Sequence, residues 1–202
     1  MDATNATWLD HYAVSLALNG DLENAIGTWR KSLALDPSNA STETDLGAAL
    51  FEKGQTQEGY EHLRKAVDMA PNFADAHNHL GSALAKMGRP DEAVEQLQAA
   101  VTLVPNSPEY RFNLGDALTQ RGDYAGAVTA FQKSVELSNG KNPQCLAALA
   151  DAYDKAGQSA QALQSARQAL ELAEQQHDVE LQKTLLINLS RYEHESGAAH
   201  HE

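Results

Sequence analysis

Glycines recur along this 202-residue chain at Gly20, Gly54, Gly88, Gly122 and Gly157, in steps of 34, 34, 34 and 35 residues. Four places before each stands a large apolar or aromatic residue: Leu16, Leu50, Leu84, Leu118 and Tyr153. Pro37, Pro71 and Pro105 keep the same 34-residue interval. Three residue types on one period mean that a single supersecondary unit is built five times over. A unit that short cannot bury its apolar side alone, so each copy must be packed against the next.

Each unit reads as two helices. In the first, Leu9, Tyr12, Ala13, Leu16 and Ala17 recur at three- and four-residue spacing, which is one face of a helix. Asn19-Gly20 breaks it, because glycine accepts the positive φ that a helix end often requires. Asp21 can cap a second helix, whose face is Leu22, Ala25, Ile26, Trp29 and Leu33. Asp36-Pro37 ends that helix, since the residue before a proline is pushed out of the α region. Small residues (Ala13, Gly47, Gly81, Gly115, Ala150) sit midway along the first helices. A second small set (Ala25, Gly59, Ala93, Ala127, Ala162) opens the second ones. They predict close helix approach, with Trp29, Leu63, Leu97 and Phe131 filling the space left over.

The third unit states the pattern most fully: Leu80, Gly81, Leu84, Gly88, Ala93, Leu97, Ala100, Pro105. This 34-residue pattern resembles the tetratricopeptide repeat. The repeats fall at 6–39, 40–73, 74–107, 108–142 and 143–176, covering 171 of 202 residues. The resemblance implies an all-α fold: a right-handed α-solenoid of antiparallel helix pairs, about eleven helices in all. Two departures stand out. The fourth repeat carries one extra residue around Asn139-Gly140, predicting a longer turn. The fifth has Ala166 at the large position and Glu174 for proline, so its second helix should run on to about Gln176. Beyond it, 177–193 reads as a capping helix with Val179, Leu185, Leu186, Leu189 and Tyr192 inward and Glu180, Gln182, Lys183, Arg191 and Glu193 outward. Residues 194–202 read as a flexible tail.

Composition narrows the ligands. Fifteen Lys and Arg against 28 Asp and Glu give a net charge of −13. Such a chain repels phosphate backbones and anionic membranes, so no nucleic acid and no membrane insertion are expected. No apolar run approaches the ~20 residues of a membrane span. Residues 1–7 have neither the basic region nor the apolar core of a signal peptide, and Cys145 is the single cysteine. The expectation is a soluble protein, cytoplasmic in preference to periplasmic; the second would fit a mature form or an excised domain.

No catalytic constellation emerges, and no cofactor or metal is expected. Gly54 to Gly59 has phosphate-loop spacing, but Tyr60-Glu61 follow where Lys and Ser/Thr are needed. Cys145 at the start of a repeat helix reads as a buried structural thiol. His77 and His79 are two apart and face different ways on a helix. His194, His200 and His201, with nearby glutamates, read as part of the tail. Asn5, Asn39 and Asn188 head chance glycosylation sequons.

In proteins of the resembled family the first helices of successive repeats line a concave groove that holds peptides or partner helices. The matching rows comprise 25 positions, seven acidic and two basic, a net of five negative charges. That density is about three times the chain average. The candidate groove residues are Asp10, Asp45, Phe51, Asp75, Asn78, His79, Glu109, Phe112, Asn113, Asp116, Asp151 and Asp154. Acidic chaperone tails, which family members grip with Lys, Arg and Asn, would be repelled by Asp10, Asp45 and Asp75. The expected partner is a basic or mixed-charge protein segment with an apolar anchor received by Phe51 or Phe112. Two alternatives remain: self-assembly through the uncapped N-terminal end at Trp8 and Tyr12, or an accessory domain cut from a larger protein.

Overall fold

The computed structural model describes residues 5–198. These form eleven helices and no strand: α1 Ala6–Leu18, α2 Leu22–Leu35, α3 Ala40–Glu52, α4 Thr56–Met69, α5 Ala74–Lys86, α6 Pro90–Leu103, α7 Pro108–Arg121, α8 Tyr124–Leu137, α9 Pro143–Lys155, α10 Ser159–Gln175 and α11 Val179–Ala198. Odd and even helices pair as antiparallel hairpins, the architecture of an all-α solenoid. The chain divides after Val104 into two compact units, one holding α1–α6 and the other α7–α11.

The helix ends follow the local sequence. Asn5, Asp21, Asn39, Ser107, Asp123 and Asn142 each accept a hydrogen bond from a first-turn backbone N–H. This satisfies donors a helix start leaves open. Pro90, Pro108 and Pro143 occupy first-turn positions where a missing N–H costs nothing. Gly54 makes the α3–α4 turn at φ 79°, a conformation that a side chain would strain.

In the first unit, Ala13, Ala25, Ile26, Trp29, Leu46, Ala49 and Leu50 form one core cluster. Gly47 and Gly59 set the α3–α4 approach. A Cβ on Gly47 would lie 2.7 Å from Leu63 Cγ and 2.9 Å from the Gly59 carbonyl oxygen. In the second unit, a Cβ on Gly115 would lie 2.6 Å from Phe131. The small-residue positions therefore mark van der Waals contact between helix backbones and large side chains.

The extra residue of the fourth repeat makes the link 138–142, where Asn139 and Gly140 both take positive φ, 54° and 66°. The chain after α10 turns at His177 with φ 58°. The last helix departs from expectation in two ways. It runs to Ala198, past the expected end at 193. Its inward face is Leu185, Leu189 and Tyr192, packed on the alanine stripe Ala162, Ala166, Ala169 and Ala173 of α10. Alanines at those positions let a whole helix and its tyrosine approach, which explains why the large residue of the repeat is missing from position 166. Val179 and Leu186, expected inward, are instead 55% and 54% exposed, and Ile187 is 72% exposed. The side chain of His194 and the residues His200, His201 and Glu202 lie outside the described part.

Candidate functional site

In the first unit, the open faces of α1, α3 and α5 carry the candidate residues. Asp10 accepts a hydrogen bond from Thr42 Oγ1 (2.7 Å), tying α1 to α3. Asp45 is half-buried on α3. Burial, reinforced by the carboxylates of Asp10 and Asp75, pushes its pKa up to about 6. No hydrogen bond or ion pair to Asp45 exists among the described residues. Phe51 and His79 meet across a cavity of about 270 Å³ that also reaches Glu52 and Lys86. Asn78, expected to face a ligand, is 2% exposed, as is Thr44 one repeat earlier, whose hydroxyl bonds back to the Ala40 carbonyl (2.8 Å). At these two repeats the position packs against neighbouring helices, whereas Asp10, Phe112 and Ala147 of the same row are only half-buried.

The second unit arranges its acids differently. Asp116 on α7 is half-buried, and burial lifts its pKa to about 6, with Lys155 pulling the other way. Asp151 pairs with Lys155 Nζ at 2.7 Å and with Arg191 at 3.7 Å. Asp154 meets Arg191 at 3.1 Å. Arg191 was expected on the outer side of the last helix, but the structure turns it onto these two carboxylates. Phe112 stacks edge-on against Phe131 with centroids 5.5 Å apart, so it packs within the repeat. It also lines a cavity of about 380 Å³ with Glu109, Gln144 and Cys145. Asn113 is half-buried beside it on α7. Cys145 is buried with its Sγ 3.3 Å from Ser134 Oγ, and burial pushes the thiol pKa up, which makes it inert.

Some features are invisible in the pattern. The Glu43 side chain is 1% exposed; His62 Nδ1 lies 2.5 Å from its carboxylate, and Lys65 Nζ bonds the other oxygen. A buried carboxylate survives only with such partners. Glu58 joins this group by pairing with Arg30 at 2.6 Å, so α2, α3 and α4 are pinned together. The one sequence hint was a polar residue at a position where the first and last repeats place Leu9 and Leu146. His77 is likewise structural: Nε2 donates to the Pro71 carbonyl (3.0 Å), and Nδ1 lies 2.8 Å from the Gln96 side-chain amide. Among the described residues no group of His, Cys, Asp and Glu is placed to hold a metal ion. No helix among them is long and apolar enough to cross a membrane.

The tetratricopeptide-repeat signature matches residues 44–108 and 80–142 in one form and 145–180 in another. With the hairpins and their spacing, this places the chain in the tetratricopeptide-repeat family. Its structure is similar to that of MamA, with 25% identity, 88% of this chain and 96% of that one covered, and a TM-score of 0.72. It is also similar to YrrB, a tetratricopeptide-repeat protein described as having an unusual peptide-binding site (25% identity, 91% and 92% covered, TM-score 0.70). TTC0263 from Thermus thermophilus shares the fold at 18% identity, with 93% and 98% covered and a TM-score of 0.71. No curated protein sequence matches the chain. Fold and relatives alike are those of protein-interaction scaffolds, a class without catalytic machinery in general.

Proposed function

We propose that this chain is a non-catalytic scaffold that holds a basic or mixed-charge segment of a partner protein against the open, acidic faces of its first helices. The observation that carries the reading is the pair Asp45 and Asp116. Both are half-buried carboxylates with pKa values lifted to about 6 by burial. A cation from outside would restore their ordinary ionisation and gain Coulomb energy in a poorly solvated setting. Phe51 and Phe112 border cavities of side-chain size on the same faces, which suits a peptide with an apolar anchor. Acidic chaperone tails should be rejected.

Calorimetry with two nonapeptides, one alternating Lys and Leu and one alternating Glu and Leu, tests this. The basic peptide should bind, lose affinity as salt rises, and lose it again in the double variant Asp45→Lys, Asp116→Lys. Equal binding of the acidic peptide, or an unchanged affinity in the double variant, contradicts the reading.

A second reading rests on the exposed Val179, Leu186 and Ile187 of α11. An apolar stripe at the end of a repeat array can stack on a second copy, as can the stacked Trp8–Tyr12 pair on α1, whose rings are 5.1 Å apart. Light scattering after size exclusion separates the two: a monomer that stays monomeric in Ile187→Glu and in the native chain removes this alternative.

A further inference from the structure

A cavity between the first and second repeats takes in Asp45 of the acidic face. It has a volume of about 490 Å³ and opens between α1, α2 and α3. Val14, Ala17, Leu22 and the indole of Trp29 supply apolar walls, and Asp45 and Glu52 supply charge. Asp45 and Glu52 stand seven residues apart on α3, two turns along one face, so both carboxylates look the same way. The cation at its rim, Lys53, is occupied by Glu23 at 3.1 Å. Trp29 is 3% exposed, so its ring is held in place as a fixed wall of this cavity.

We propose that this cavity receives a long cationic side chain, arginine or lysine, from a bound peptide. The aliphatic stem lies along Val14, Ala17, Leu22 and the Trp29 ring. The charged head meets Asp45 and Glu52. The chemistry is that of a snorkelling side chain, apolar along its length and charged at its tip. An acidic segment is excluded by the two carboxylates, and a purely apolar one leaves them unanswered. This deepens the scaffold reading and rests on it: it names one pocket and one residue class within the wider acidic face.

The test uses the full chain, labelled with ¹⁵N, and the probe N-acetyl-arginine N-methylamide. The chain has two tryptophans, Trp8 and Trp29, so the indole N–H signals give a probe and an internal reference. The Trp29 signal should move saturably while that of Trp8 stays in place. The citrulline analogue, of the same shape but uncharged, should bind at least about tenfold more weakly. Asp45→Asn and Glu52→Gln should each weaken the arginine probe by roughly three- to tenfold. A Trp29 signal that stays in place while amides elsewhere on the acidic faces move overturns the cavity and leaves the scaffold reading standing. Equal affinity for the citrulline analogue overturns the assignment of a cationic ligand. A probe that moves nothing, alongside a basic nonapeptide that fails to bind, overturns both.

Discussion

Both units carry acidic residues on their first helices, but not all of these are treated alike. In the first, Asp45 sits among Asp10 and Asp75, and burial and repulsion both act on it without an ion pair to offset them. In the second, Asp151 and Asp154 are gripped by Lys155 and Arg191. Arg191 belongs to α11, which lies outside the repeats. The same residue type on a first helix is therefore a charge without an ion pair at Asp45 and a charge already answered at Asp151 and Asp154. The helix that closes the array also neutralises part of the second unit's acidic face, whereas Asp45 in the first unit has no ion pair.

The largest expected effects come from the cores, where the units can be broken separately. Trp29→Ala should destabilise the first unit and Phe131→Ala the second, each by about 3–5 kcal/mol, because a buried aromatic leaves a cavity behind. Hydrogen exchange should show the loss of protection confined to the unit that carries the change. Loss of protection throughout both would show that the two melt as one.

Next comes pH. Asp45 and Asp116 have folded-state pKa values of about 6, above the unfolded value of 3.8. The folded chain therefore takes up protons before the unfolded one as pH falls, and stability should rise from pH 7 towards pH 5 by up to about 1 kcal/mol per group after solvent screening. Below that the trend reverses as Asp123 and Glu92, held below their ordinary values by hydrogen bonds, become protonated. Asp45→Asn and Asp116→Asn should raise the melting temperature at pH 7 and each flatten part of the rise. Stability that falls steadily from pH 7 would deny that these carboxylates are held under strain.

Binding gives a smaller contrast. Asp45→Lys should lower affinity for the Lys–Leu nonapeptide about tenfold, roughly 1.4 kcal/mol, whereas Asp151→Lys should lower it less than about threefold. Equal losses, measured by calorimetry, would erase the distinction between the units. Smallest of all, Arg191→Ala removes exposed ion pairs and should cost the fold only about 0.2–1 kcal/mol in urea denaturation. By uncovering Asp151 and Asp154 it should strengthen binding of the same peptide. Weaker binding in that variant would mean that Arg191 itself touches the partner.

The fold was legible because its information is periodic. Gly47 and Gly59 recur where helix backbones touch, and Gly20 to Gly157 recur where turns need positive φ, so five copies reinforce one reading. The last helix was harder. Without a repeat to set its register, Leu185 and Leu186 are equivalent in sequence, and only the alanine stripe of α10 decides that Leu185 is buried. The candidate site was legible as a set of acidic positions but not as electrostatics. Glu43, with its His62 and Lys65 partners, and Arg191 over Asp154 depend on neighbours 19 to 37 residues away, outside any local pattern. Asn78 failed because groove rows assume an ideal helix face, and its position packs inward.

The most direct test is an NMR titration of the Asp45 side-chain carboxyl, with and without the Lys–Leu nonapeptide. The account predicts a pKa of about 6 in the free chain, falling by about one unit when the basic peptide binds, as a tenfold coupling requires. A carboxyl that titrates near its ordinary value of 3.8 in the free chain, or that is indifferent to the bound peptide, would contradict it.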